Sequence, residues 1–519
     1  MFDSIKRSAR KVFHRLSASA AVMLRGQHYD NATTTVENER HWNRARDLPP
    51  ITINNPAARQ KLRERARYEE DNNGYCGGMV STLATDVVGY VAPTPQVLTD
   101  DSDLKRFIEE EWKQWSESPV VNLPEKLHVL DRARRTDGES FLLFINDTVQ
   151  TLSDTGYSLN AVVIPQSRVS DPHWNNWTQV ETKEVEFNGS TVTLDLINDD
   201  GVVVNAATGQ PFEFKVTDVI DEVRGFTPGL MGANLRTVPA RFMKQWFRPK
   251  RPGQFRGICE IGASLGLFAQ LRRYGLATLG AAEIAAMMTV LLKTNLPADD
   301  NGQPANLKPF SAQDFERNMV TAMPDGWDVT QLKAEQPVTA YDAFVRAVLR
   351  EIGRVLDMPY GIIAGDHSSY NYSSARLDVT GYDERMKYDR GQLAIKILNP
   401  LFYEFLLEMA QIRPDIARAL EANKIKYQWK YTNRPSIDPA KDASVDDMRL
   451  KNGSTTLSEV FAARGLDWRE QLEQQAKEKE IILKLGLDKP DNSATMSRST
   501  QNDVPTDVQP NVNDNASSQ

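Results

Sequence analysis

Residues 364–376 read Ala-Gly-Asp-His-Ser-Ser-Tyr-Asn-Tyr-Ser-Ser-Ala-Arg, a polar loop set between two long helical patterns. His367, Ser368, Ser369, Tyr370, Asn371, Tyr372 and Arg376 offer imidazole, hydroxyl, amide and guanidinium groups. Such groups hydrogen-bond phosphate oxygens without reading base sequence, so the stretch can touch a polymer. It has little equipment for breaking a bond. The plainer reading is a solvated connection, the commonest fate of a polar loop.

Upstream, Tyr341 to Leu356 predicts a helix with Phe344, Val345, Val348, Leu349, Ile352, Val355 and Leu356 on one face and Arg346, Arg350 and Arg354 on another. Thr339 followed by Asp342 reads as its cap, and Pro359 ends the pattern. Downstream, a helical pattern runs from Asp378 to Gln411. Pro400 inside it lacks an amide donor and crowds the preceding turn, which predicts a kink near Leu398.

The rest of the chain divides by period. Residues 30–60 read as an extended arm, and helical spacing covers 57–70, the stretch after Asn72-Asn73-Gly74, and Asp103 to Ser116. Trp112 and Trp115 fall on the apolar side of the last, as core anchors. After Gly138 come short β-rich runs at 140–145, 161–165, 180–187, 191–197, 202–204 and 212–216, separated by Asn-Gly, Asp-Asp-Gly and Thr-Gly turns. From Ala263 to Leu292 an Ala- and Gly-rich helix, about 45 Å long if continuous, is expected. A Pro-, Asp-, Asn- and Gly-rich insert follows at 295–326, short helices fill 438–487, and the tail from 489 is too poor in apolar residues to repay ordering.

Composition excludes several functions. A net charge of -8 over 519 residues argues against a general nucleic-acid coat, though not against a conduit along which duplex slides. Cys76 and Cys259 are too few for a disulfide framework or zinc site and fit a reducing cytoplasm; six scattered His lack metal spacing. The basic start (Lys6, Arg7, Arg10, Lys11, Arg15) lacks a signal-peptide apolar core, and Glu283 interrupts the span-length run 274–292, so no membrane is expected. No nucleotide, dinucleotide or metalloprotease motif is present, so neither cofactor nor metal is expected. One enzymatic alternative exists: Gly262-Ala263-Ser264-Leu265-Gly266 fits a serine-hydrolase elbow with His367 downstream, which requires a strand, a sharp turn and a helix. Lys244 to Arg256, basic with interleaved aromatics, reads as a turn whose charges face water, or as a contact for an acidic partner.

Several segments, in order, resemble the lambda family of bacteriophage portal proteins over roughly 57–487. These are Arg65-Ala-Arg67 with Asn72-Asn73, Val87-Val88-Gly89, Asp137-Gly138-Glu139, Val238-Pro239-Ala240 and Arg251 to Gly257. The Ala-rich helix, Asp366 with Asn371 to Arg376, Ile437-Asp438-Pro439 with Lys441, and Gly465-Leu466-Asp467 complete the set. Where the family carries a His ahead of Arg-Pro-Gly-Gln, this chain has Gln245-Trp246.

The resemblance implies a mixed α+β, mainly helical portal fold and a non-enzymatic virion protein: a head-tail connector forming a ring of twelve copies at one capsid vertex. By analogy, residues 1–56 are an arm, 57–255 the wing, 256–292 and 339–357 two stem helices around a clip at 293–338. Residues 358–376 are then the tunnel loop, 377–411 a kinked helix, 412–487 the crown and 488–519 a disordered tail. The implied partners are further copies of the chain, non-specific double-stranded DNA, the terminase large subunit, a major capsid or scaffold protein and a head-tail connector protein. The implied setting is the host cytoplasm during assembly, then the virion. Leu267, Leu271, Phe344, Val348, Leu349 and Ile352 are assigned to stem packing. A different head-tail adaptor is the nearest structural alternative.

Overall fold

A computed structural model describes residues 39–486 except 44, 46, 100, 172–179, 188–189, 218–234, 288–290, 295–326, 331–337, 369, 432–438, 464–465 and 467. Short helices at Glu39–Trp42 and Pro50–Ile53 correct the reading of 30–60 as an extended arm. They precede α1 (Pro56–Asn72) and α2 (Gly74–Val88), followed by β1 (Thr94–Leu98), α3 (Ser102–Glu117), α4 (Leu123–Thr136), β2 (Glu139–Asn146), α5 (Gln150–Thr155) and β3 (Leu159–Pro165). Next come β4 (Val180–Phe187), β5 (Ser190–Asp199), β6 (Val202–Asn205), β7 (Pro211–Thr217), β8 (Leu235–Pro239) and β9 (Met243–Phe247). Helix α6 (Leu265–Met287), β10 (Leu291–Thr294), β11 (Trp327–Thr330), α7 (Val338–Val355), α8 (Tyr360–Ala364), α9 (Tyr372–Leu393) and α10 (Asn399–Ile412) follow. The chain continues through α11 (Pro414–Glu421), β12 (Lys426–Lys430), α12 (Pro439–Lys451), α13 (Leu457–Ala463) and α14 (Trp468–Lys484). The fold is therefore mixed α and β, with helices predominating.

Two compact units share these elements. One comprises 1–63, 167–238 and 247–258; the other comprises 64–166, 239–246 and 259–519. The first holds the five-stranded sheet β4-β5-β6-β7-β8. Strands β4 and β5 pair antiparallel from Val180↔Ile197 to Phe187↔Ser190, as the Asn-Gly signal predicts. Between β5 and β6, Asp200 (φ 47°) and Gly201 (φ 92°) both adopt positive φ, the requirement of a two-residue hairpin with a primed turn. A Cβ on Gly201 would lie 2.8 Å from the Ser170 amide nitrogen, so the turn needs glycine twice over.

Inside this unit Arg256 is 1% exposed. Its guanidinium donates to the carbonyls of Val169 (3.0 Å) and Asp200, while Arg59 pairs with the Asp200 carboxylate. This corrects the reading of Lys244 to Arg256 as a turn with its charges in water: the last arginine of that run is a buried tie.

The second unit is built on an aromatic nest. Trp112 and Trp115 are wholly buried, with ring centroids 5.1 Å apart. Phe402 and Phe405 from α10 meet Trp112 edge-on at 5.2 and 5.4 Å, and Trp429 from β12 meets it at 5.5 Å. Each indole N–H finds a carbonyl, Trp112 on Pro93 and Trp115 on Leu159, so burial leaves no donor unpaired. β12 reaches the nest by pairing antiparallel with β1, a contact across more than 300 residues that local patterning does not reveal.

Three helix boundaries differ from expectation. The Ala-rich helix is not continuous from 263 to 292: a 3₁₀ turn at Glu260–Ser264 leads into α6, which ends at Met287, and Leu291–Thr294 form a strand antiparallel to Trp327–Thr330. Helix α7 begins at Val338, so Thr339 lies within it and Asp342 instead pairs with Arg346 at 2.9 Å. Helix α9 begins at Tyr372, so Tyr372 and Arg376 are helical and not part of the loop.

At the position of the expected kink near Leu398 lies a π turn over Ala394–Leu398, where the Asn399 N–H donates to the Ala394 carbonyl five residues back. Pro400 has no N–H to give its i−4 carbonyl, and the wider turn accommodates its ring. Among the described residues, no helix is long and apolar enough to cross a membrane. The N-terminal basic run, most of the 293–338 insert and the tail from 488 lie outside the described residues.

Candidate functional site

The candidate site is the connection from α7 through α8 to the first turn of α9. Helix α7 buries Val345, Val348, Leu349 and Ile352, with Leu349 and Ile352 fully enclosed, and Leu356 just past its end is buried too. From α6, Leu271 is buried and Leu267 half-buried. Phe344 is 41% exposed, yet its ring lies 4.6 Å from that of Tyr274 on α6, which also stacks on Tyr341 at 5.4 Å.

Gly353 sets how closely α8 approaches α7. A Cβ there would stand 2.1 Å from Ile363 Cδ1 and 2.5 Å from the Met358 carbonyl. Between the helices, Asp357 takes a positive φ of 53°, and its carboxylate accepts from Arg385 Nη1 at 2.6 Å. Met358 N–H closes the turn on the Gly353 carbonyl at 2.9 Å.

The loop that follows is tied down at four points. Asp366 accepts from the Ser368 hydroxyl (2.6 Å), the Ser368 amide (3.0 Å) and the Tyr360 hydroxyl (3.3 Å), and Arg346 stands 3.6 Å away. Those hydrogen bonds, with the Arg346 charge, hold its carboxyl below the usual aspartate range. Tyr370 turns back so that its hydroxyl accepts from the Gly361 N–H at 3.1 Å. The His367 ring packs edge-on against Tyr370 at 5.7 Å, and a Cβ on Gly361 would sit 2.8 Å from His367 Nδ1. Asn371 caps α9 in a reciprocal box, its Oδ1 accepting from the Ser374 amide at 2.8 Å while its own N–H donates to Ser374 Oγ at 3.1 Å.

Of the seven loop residues singled out from sequence, His367, Ser368, Asn371 and Arg376 are exposed and Tyr370 is half-buried. Ser369 and the Tyr372 side chain lie outside the described residues. His367 and Tyr370 serve the loop's own shape. A cleft of about 700 Å³ lies behind it, lined by Arg350, Arg354, Tyr360, Tyr370, Ser374 and Arg385.

Beneath the cleft is a buried charge cluster that reading the sequence missed. Arg134 and Arg135 of α4 both bond Asp389 Oδ2 of α9, at 2.9 and 3.0 Å, and Arg135 bonds Glu260 at 2.8 Å and Asp131 at 3.1 Å. Trp246 donates to the other Asp131 oxygen at 3.0 Å, and Arg134 lies 4.4 Å over its ring. Against the penalty of burial, the arginine charges keep both Asp389 and Glu260 below their ordinary ranges. The Asp131 to Arg135 run carried the only local signal, a dense charge pattern on a helix.

Neighbouring ties bring together residues quoted separately above. Arg67 grips Asp137 with two bonds of 2.8 and 2.6 Å. Glu139 accepts from Gln166 at 3.0 Å and Gln245 at 2.6 Å. Gln245-Trp246, the departure from the family pattern, thus supplies two buried donors.

The serine-hydrolase alternative lacks its setting. Ser264 ends a 3₁₀ turn with no preceding strand, is 1% exposed, and its hydroxyl has no partner among the described residues. No His, Cys, Asp and Glu grouping among those residues could hold a metal.

Comparison with known proteins places the chain. The sequence is 22% identical over 463 residues to the probable portal protein of Halomonas phage phiHAP-1, spanning 83% of this chain and 82% of that protein. Among solved structures, it is similar to a chain in the neck of an empty GTA particle computed with C6 symmetry. That likeness has a TM-score of 0.41 and 13% identity, over 78% of this chain and 93% of the other. For a chain in the neck of a native GTA particle computed with C12 symmetry the TM-score is 0.39, at 13% identity over 83% and 99%. The sequence model of the phage portal protein, lambda family, matches residues 37–390, from before α1 into the last turn of α9 and across the loop and charge cluster, and the chain belongs to that family.

Proposed function

We propose that this chain closes with identical copies into a ring of twelve at one vertex of a phage-type capsid. Duplex DNA enters through it, driven by a separate terminase, and leaves through it toward the tail. The observation that carries the reading is the family match over residues 37–390. A ring of identical copies uses a heterologous interface whose rotation closes. In this reading α6 and α7 are the stem, the segment between them faces terminase and then the connector protein, and the loop after α8 lines the channel. The loop's exposed His367, Ser368 and Asn371 suit passing contact with phosphates, which needs donors and no sequence readout.

The test is native mass measurement and negative-stain imaging of the full chain, alone and co-expressed with its capsid protein. Closed rings of twelve times 58.4 kDa are expected. Single copies under every condition overturn the proposal. Packaging complementation with His367→Ala/Ser368→Ala tests the loop: rings persist and packaged DNA falls, whereas normal packaging removes the loop from the channel.

A further inference from the structure

We infer that Arg350 and Arg354 on α7, at the mouth of the cleft facing α9, form a contact for the phosphodiester backbone of duplex DNA. This deepens the portal reading and rests on it. Arg346, Arg350 and Arg354 recur every four residues, one helical turn, so they form a ridge with about 6 Å between successive members.

Their environments differ. Arg346 is committed within the chain, to Asp342 at 2.9 Å and Asp366 at 3.6 Å. Arg350 is exposed, and no carboxylate pairs with it among the described residues. Its guanidinium lies 5.5 Å from the centre of the Tyr360 ring. Such stacking holds the plane while leaving N–H edges for an anion. The Arg354 side chain is 85% exposed and, among the described residues, pairs with Asp357 at 3.5 Å, a carboxylate also engaged by Arg385.

Charge in the cleft also favours an anion. Its lining carries Arg350, Arg354 and Arg385 against Asp357 and Asp378, with the Ser374 hydroxyl beside them. Asp357 is shared by Arg354 and Arg385, and the Tyr370 hydroxyl donates to Asp378, so three arginines face two carboxylates and the lining keeps a positive excess. The chain as a whole is acidic, so a local pair of exposed guanidiniums, one of them sharing a carboxylate with Arg385, gives a grip that is weak and confined, as sliding requires.

The test uses the purified full chain and a short fluorescent duplex, with anisotropy followed between about 50 and 200 mM salt. Arg350→Gln/Arg354→Gln is expected to keep the wild-type melting temperature and assembly state. It should bind at least about tenfold more weakly at low salt, with a shallower dependence of log affinity on log salt. Arg350→Lys/Arg354→Lys keeps most of the affinity, because the charge remains. Unchanged affinity and slope in the Gln variant overturn the inference and leave the portal reading standing, as does absence of any wild-type binding at low salt. Loss of assembly with unchanged melting also overturns it, making the ridge a contact between copies. Ridge-dependent binding by a wild type that never closes into rings overturns the portal reading instead.

Discussion

Arg385 and Asp357 meet at 2.6 Å, and this pair holds the one backbone reversal that separates α7 from α8. Asp357 is among four described non-glycine residues with positive φ. The same guanidinium places Nε 3.4 Å from Asp389, so the reversal is anchored to the buried charge cluster. Arg385→Gln removes both ties and leaves Arg134 and Arg135 on Asp389. We expect a loss of about 1 kcal/mol, because Asp357 is 42% exposed and Asp389 keeps two arginines, read as a lower melting temperature. Limited proteolysis should then cut within 357–371; an unchanged cleavage pattern counts against the anchoring role.

The cluster also fixes a response to acid. Asp389 and Glu260 have folded-state affinities for protons below their unfolded values of about 3.9 and 4.3. Stability from this source is complete above those values and declines as pH falls through and below them. Asp389→Asn is expected to melt lower than wild type at pH near 7, with the gap narrowing below about pH 4. Melting curves from neutral to acid check this, and a gap independent of pH contradicts it.

Gly353→Ala places a methyl against Ile363 Cδ1 and the Met358 carbonyl, at 2.1 and 2.5 Å before relaxation. Overpacking of this kind costs about 1–3 kcal/mol. Ile363→Val removes the Cδ1 atom and should recover part of the loss in the double variant, while the carbonyl contact persists. Melting temperatures of the two singles and the double give the coupling; strict additivity denies the contact.

Leu349→Asp buries a carboxylate at a site that is fully enclosed within one copy of the chain. Several kcal/mol are lost, and the soluble, folded yield should collapse before any question of assembly arises. Phe344→Ala, at a position 41% exposed, should leave a folded subunit. Circular dichroism of both decides, and a folded Leu349→Asp chain refutes the buried face of α7.

How much of this could be read from the sequence depends on distance along the chain. Trp112, Trp115, Leu349 and Ile352 announce their burial by helical spacing, and Asn-Gly announces the β4 and β5 hairpin, because these signals are local. The pairing of β1 with β12, and of Arg134 and Arg135 with Asp389 some 254 and 255 residues away, leaves no periodic trace. At the candidate site, loop composition was legible but not its conformation. Tyr370 and His367 looked free, yet a glycine at 361 gives both a surface to lie on. Arg350, set down as one of a helix's polar residues, gains its interest only from the tyrosine that α8 brings beneath it.

The π turn at 394–398 gives the rod formed by α9 and α10 a change of phase. Asp389 and Leu393 lie buried ahead of it, Ile397 and Leu398 within it, and Leu401 and Phe405 behind it. Rewinding the same residues to ordinary α pitch, with nothing removed, would swing one half by about 100° relative to the other. The aromatic nest and the arginine cluster could then no longer be satisfied together, so this short segment sets the reading frame of the helix in three dimensions.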